Sequence, residues 1–129
     1  MEDEVGKWFE FAENDLGVAK HLNETYYPKP LIIICYHCQQ AAEKAIKVLI
    51  IKFNPKYGVS KTHNLSFLLQ QIKNYVNIPS YCYNEADALT PYGIAARYPN
   101  EIYIDDRCVN DAIKNAEDIL SWVKETIKQ

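Results

Sequence analysis

Residues 31–53 read LIIICYHCQQAAEKAIKVLIIKF. The opening run Leu31-Ile32-Ile33-Ile34 is apolar and mostly β-branched, and taken alone it fits a buried strand as well as a helix. The polar residues after it recur at the 3.6-residue period, which a strand does not produce, so the spacing predicts one long helix over 30–53. Pro30 suits its first turn, where a missing N–H costs nothing. Apolar side chains nearly all round its start mark it as the central helix. Ala41, Ala42 and Ala45 share a face with Cys38, Leu49 and Phe53, and small side chains there let a neighbouring helix approach closely. His37, Gln39, Gln40, Glu43, Lys44, Lys47 and Lys52 interrupt the stretch too often for a membrane span.

Upstream, residues 4–23 place Val5, Trp8, Phe9, Ala12, Leu16 and Ala19 on one stripe at 100° per residue, which predicts an amphipathic helix ended by Tyr26-Tyr27-Pro28-Lys29-Pro30. Downstream, Asn54-Pro55-Lys56-Tyr57-Gly58 is turn chemistry. Thr62 is then a candidate N-cap for a helix carrying Leu65, Leu68, Leu69, Ile72, Tyr75 and Val76, closed by Asn77-Ile78-Pro79. Ser80 to Ala96 is helical in pattern with Pro91 inside it. That predicts one helix kinked at Pro91, the alternative being a fresh start capped by Thr90. Arg97-Tyr98-Pro99-Asn100 ends the segment, because the residue before a proline is pushed out of the α region. A last helix over 106–128 aligns Val109, Ala112, Ile113, Ala116, Ile119, Leu120, Val123 and Ile127. The expectation is an all-α, antiparallel up-and-down bundle of four to five helices without a strand.

At 129 residues the chain has room for one core, so a single domain over 1–129 is expected. With 48% hydrophobic and 24% charged residues it is neither a disordered tail nor a coiled-coil rod. Lys plus Arg number 14 against 17 Asp plus Glu, a formal charge of -3. Nothing overall steers such a chain toward nucleic acid, so any such binding needs a local basic patch. The acidic start Met1-Glu2-Asp3-Glu4 lacks the order of a signal peptide. The chain therefore reads as cytoplasmic, with Cys35, Cys38, Cys82 and Cys108 as reduced thiols.

Four features carry candidate chemistry. Asp15 lies at the margin of the first helix's apolar stripe, where a carboxylate wants a partner; a structural ion pair with a Lys or Arg is the reading, Arg97 among the candidates. On the central helix His37, Gln40, Lys44 and Lys47 fall within one narrow sector, with Glu43 beside it. This strip is either a solvated face with Glu43 and Lys47 as a helix-stabilising pair, or a pocket wall offering cationic and amide donors to a phosphate. Arg97, ahead of Pro99, offers a planar fork to a phosphate or carboxylate. Cys35-Tyr36-His37-Cys38 has C-x-x-C spacing, but without a second pair it reads as core thiols, and no metal is expected. His63, beside a predicted helix start, reads as a loop or cap residue. No phosphate-loop, dinucleotide, serine-hydrolase or zinc-protease motif is present.

In this order Trp8, Ala12, Asp15-Leu16 and Ala19, then Tyr36-His37-Cys38-Gln39-Gln40-Ala41-Ala42-Glu43-Lys44-Ala45-Ile46-Lys47, then Thr62-His63-Asn64-Leu65, then Ala96-Arg97-Tyr98-Pro99 resemble the HEPN domain (higher eukaryotes and prokaryotes nucleotide-binding) over almost the whole chain. The resemblance implies an all-α bundle, homodimeric, partnered with a minimal nucleotidyltransferase and binding nucleotides. Many relatives are metal-independent ribonucleases sharing an Arg followed four to six residues later by His. This chain departs from that pattern: Tyr98, Pro99, Asn100, Glu101, Ile102 and Tyr103 follow Arg97, and general acid–base cleavage near neutral pH wants an imidazole there. The implied protein is a non-catalytic module, needing no cofactor, that binds a nucleotide or RNA. In it Arg97 makes the bidentate phosphate contact, Lys44 and Lys47 supply charge, Gln40 and His37 line the groove, and Tyr98 stacks on a base. The alternatives are an endoribonuclease toxin of a toxin–antitoxin pair, using a histidine from elsewhere in the chain, and a scaffold that binds no nucleotide.

Overall fold

The 3.6-residue pattern of the central stretch becomes α2 (Leu31–Phe53) in a computed structural model that describes residues 3–58, 61–98 and 102–128. The other helices are α1 (Asp3–Thr25), α3 (Leu65–Gln70), α4 (Ser80–Leu89), α5 (Tyr92–Ala95) and α6 (Asp106–Thr126), with a 3-10 turn at Pro55–Tyr57. No strand occurs among the described residues, and no helix there is long and apolar enough to cross a membrane.

All of the packing is organised by α2. Ile34, Cys35, Cys38, Ala41, Ala42, Ala45, Ile46, Val48 and Leu49 are fully buried, and each large side chain among them contributes about 1.5–3 kcal/mol of apolar burial. The antiparallel α1 meets it where Asp15 faces Lys44 and the Trp8 ring lies beneath Lys47. A second face is covered by α6, running in the same sense as α2: at their C-terminal ends Lys52 Nζ donates to the Ile127 carbonyl at 2.8 Å. The chain between them, α3 to α5, makes the return and closes a third side. Asp105 caps α6, its carboxylate accepting from the Cys108 N–H at 3.0 Å.

Two boundaries differ from the sequence reading. The N-cap of α3 is Asn64, whose side chain accepts from the Phe67 N–H at 3.0 Å, while the Thr62 hydroxyl accepts from the Asn64 N–H at 3.2 Å. Both are good cap residues, and the one nearer the first apolar side chain takes the role. The helix stops at Gln70 and continues as turns, yet Ile72 and Val76 still reach the core. Between α4 and α5, Thr90 and Pro91 stay in the right-handed helical region (φ, ψ -50, -44 and -59, -27). The hydrogen-bond ladder breaks where Pro91 has no N–H to give, so the segment is two helices at a proline break. Thr90 does not cap α5: its hydroxyl donates to the Ala86 carbonyl at 2.8 Å and accepts from the Leu65 N–H at 3.2 Å.

Where α4 meets α6, Glu85 is buried with Oε1 lacking any hydrogen-bond partner and Oε2 3.7 Å from Lys114 Nζ. Burial first, and the neighbouring Asp118 carboxyl second, push its pKa up to about 8, with Lys114 opposing. A carboxyl whose folded value is raised stabilises the fold fully below its unfolded value, and that contribution is lost as pH rises through the folded one. Stability therefore declines from about pH 4.5 to about pH 8. In Glu85→Gln this slope flattens, as urea unfolding across that range would record; an unchanged slope would mean that Glu85 is ionised throughout.

Candidate functional site

Gln39, Glu43 and Lys47 are spaced by one helical turn on α2, so their side chains stack on one line. That line is inside the protein: Gln39 is 0%, Glu43 4% and Lys47 8% exposed. Lys47 Nζ donates to Glu43 Oε2 at 2.8 Å, and Gln39 Nε2 donates to Glu43 Oε1 at 3.1 Å. The second amide hydrogen of Gln39 reaches the His63 carbonyl at 3.3 Å, and its Oε1 accepts from Gln40 Nε2 at 2.7 Å. His63 completes the group, with Nδ1 2.8 Å from Glu43 Oε1. Burial is the largest influence on the Glu43 carboxyl and opposes ionisation. Hydrogen bonds from Lys47, His63 and Gln39 together outweigh it, so its pKa lies below the ordinary value. Because an ionised carboxylate only accepts, the bond from His63 must be Nδ1–H donating. The other ring nitrogen, Nε2, takes no part in this group, on a side chain 45% exposed.

A second cluster sits between α1 and α2. Asp15 Oδ2 accepts from Lys44 Nζ at 2.5 Å, and Asp15 Oδ1 lies 3.0 Å from His37 Nδ1. The partners of Asp15 are thus on α2, and Arg97 is not among them.

Of the two readings of the α2 strip, the Glu43–Lys47 pair of the first is present, while the cations that the second offers to an anion already have carboxylate partners. Lys44 is committed to Asp15 and Lys47 to Glu43, His37 shares Asp15, and the amide of Gln40 is spent on Gln39. The helical wheel gives their common direction, but α1, α5 and the segment before α3 cover it. Sequence reasoning missed Gln39 and Glu43 as the centre and His63 as their partner. The available signal was a line of three polar side chains at i, i+4 and i+8 in a helix otherwise buried.

Arg97 is exposed, just beyond α5, and has no ion pair among the described residues; the neighbouring Tyr98 ring is also exposed. Beside them Pro91, Ile94, Ala95, Tyr98 and Ile102 line an open groove of about 450 Å³. Pro99, Asn100 and Glu101 lie outside the described residues. The turn that ends in Arg97 is placed by Gly93: a Cβ there would stand 2.9 Å from Gln39 Cδ, so α5 rests its backbone on the Gln39 carboxamide. Burial pushes the thiols of Cys35, Cys38 and Cys82 up to about 12, and a neutral buried thiol is a packing group rather than a nucleophile. No group of three or more His, Cys, Asp or Glu side chains among the described residues is arranged to hold a metal ion.

The model of the HEPN domain matches residues 5–126. Among solved structures, TT1696 from Thermus thermophilus is similar at 26% identity and a TM-score of 0.81, over 96% of this chain and 98% of that one. ST0689, an archaeal HEPN homologue, is similar at 29% identity and a TM-score of 0.71, over 98% and 99%. A HEPN domain protein from Thermotoga maritima, at 21% identity and a TM-score of 0.71 over 95% and 98%, shares the fold. No curated protein matches significantly.

Two pairs of substitutions separate these roles. Lys47→Ala strands a buried carboxylate and costs about 3 kcal/mol, whereas Lys44→Ala, at a half-open pair, costs under about 1 kcal/mol. Gly93→Ala costs about 1–3 kcal/mol because the carboxamide it displaces is held by three hydrogen bonds. Gly17→Ala, with nothing within 4 Å of the new Cβ, stabilises α1 by about 0.5–1 kcal/mol. Urea unfolding of the four variants checks both orders.

Proposed function

Because the chain belongs to the HEPN domain family, we propose that it is a non-catalytic nucleotide- or RNA-binding module whose ligand sits at the Arg97–Tyr98 end of α5. The observation that carries this reading is an exposed guanidinium without a carboxylate partner among the described residues, beside an exposed tyrosine ring on an apolar groove. A guanidinium fork is matched to a phosphate. An aromatic face accepts any base, and such stacking is worth about 1–3 kcal/mol per base. With Lys44 and Lys47 neutralised internally, the phosphate contact falls to Arg97.

The module works as a homodimer with a minimal nucleotidyltransferase as partner. Exposed apolar side chains on α1 and the start of α2, Phe11, Val18 and Ile33, support a protein-facing surface there.

A ligand that binds only the folded state raises the melting temperature by mass action. Millimolar ATP or GTP therefore raises it for the wild type. Arg97→Ala weakens the interaction roughly 10- to 100-fold, the worth of a charged hydrogen-bonded pair, and Tyr98→Ala weakens it less. No shift in the wild type, or an equal shift in Arg97→Ala, rejects the reading.

A further inference from the structure

Between α1 and α6, on the outside of the bundle, runs a groove of about 320 Å³. Its floor is apolar, made by Phe9 and Leu120, each 5% exposed, together with Leu16. One end is closed by the ion pair of Lys20 on α1 with Glu117 on α6. The two helices are antiparallel, so two turns back along α1 and two turns forward along α6 lead to the same place. There stand Glu13 and Lys124, the same two charges with the helices exchanged. Both line the groove, yet neither has an ion-pair partner among the described residues. Between the closed pair and the open charges, Gly17 and Ser121 leave the wall low, and a Cβ on Gly17 would meet nothing within 4 Å. Packing within the chain therefore does not call for a glycine there, and inside a helix glycine is less stable than alanine.

We infer that this groove binds a free α-amino acid with an apolar side chain: its ammonium group meets Glu13, its carboxylate meets Lys124, and its side chain lies over Leu16 and Leu120 in the space beside Gly17. The occupant carries both charges, because an ion of one sign would leave Glu13 or Lys124 facing its own charge. It carries them next to an apolar group, because Leu16 and Leu120 lie along their helices between the open charges and the closed pair. A protein partner is a poor match. None of the exposed large apolar side chains among the described residues lines this groove, whereas a stable protein interface is apolar at its centre over a far wider area. The volume stands at the lower end of small-molecule sites, about 300–1,000 Å³, which suits a ligand of amino-acid size. The site shares no lining residue with the groove beside Arg97, so it does not rest on the nucleotide-binding reading.

NMR titration of the full chain with leucine tests this. Leucine shifts the Gly17 and Ser121 amides saturably, with a Kd of about 1 mM. Isopentylamine and isocaproate, which are leucine without its carboxylate and without its ammonium group, bind about fivefold more weakly, the worth of one exposed ion pair. Gly17→Leu fills the space over the floor and removes binding; it keeps the fold, since the position is open and a leucine side chain favours helix over glycine. Glu13→Lys and Lys124→Glu each remove binding. Their combination restores it with the preference between the two hands of leucine inverted, because exchanging ammonium and carboxylate about a fixed side chain changes the hand. No saturable shift up to about 20 mM leucine, equal binding of the three compounds, binding retained by Gly17→Leu, or a double variant without the inverted preference overturns the inference.

Discussion

A negative charge taken out of water at Glu43 is the constraint around which this bundle is arranged. An isolated buried carboxylate is prohibitive, and its retention demands partners with good geometry on every side. Glu43 draws them from three places: Lys47 and Gln39 one turn away on either side of α2, and His63 from the segment before α3. Each partner then fixes something else. Lys47 lies over the Trp8 ring of α1, at 5.9 Å, and Gln39 supports α5 through Gly93. One buried anion on the central helix thereby sets the relative position of α1, α5 and the chain entering α3.

The same constraint decides where free positive charge remains. Two lysines and a histidine on α2 are absorbed by Glu43 and Asp15, so a helix rich in cations by composition presents little net charge outward. A chain of net charge -3 has no general attraction for phosphate, so on the proposed reading the contact falls to a well-exposed cation. Arg97 meets that requirement because the break at Pro91 lets a short α5 end in solvent rather than run on into the core.

How far the sequence could be read follows from what each signal measures. Periodicity reports burial along one helix, and it locates α1, α2 and α6 to within two or three residues, because each runs for five or more turns. It fails where the hydrogen-bond ladder is lost but the burial pattern continues: Ile72 and Val76 keep the helical spacing beyond Gln70 although the chain there is only turns. Thr62 and Asn64 are equivalent as caps in composition, and only the position of Leu65 in the core separates them. The α2 strip is the instructive case. A wheel places His37, Gln40, Lys44 and Lys47 in one direction correctly, but whether that direction is wet depends on elements distant in sequence, here α1, α5 and the segment before α3. The pairing of Asp15 with a cation was visible as a need. That the cations lie on α2 was not, because a stripe margin does not say which helix faces it.

Stability alone gives no reason to keep Gln39, Glu43, Lys47 and His63 inside the bundle. Buried ion pairs hold little advantage over apolar side chains of the same volume, and an apolar line at these three α2 positions would match the rest of the helix. What such a line could not do is orient a neighbouring polar group. A carboxylate fixed by Lys47 and Gln39 holds the His63 ring through its Nδ1–H; a hydrogen-bonded carboxamide gives α5 a flat support that a branched apolar side chain cannot imitate. The polar line is therefore better understood as fixing how the segment before α3 and α5 sit on α2 than as part of what holds the helices together.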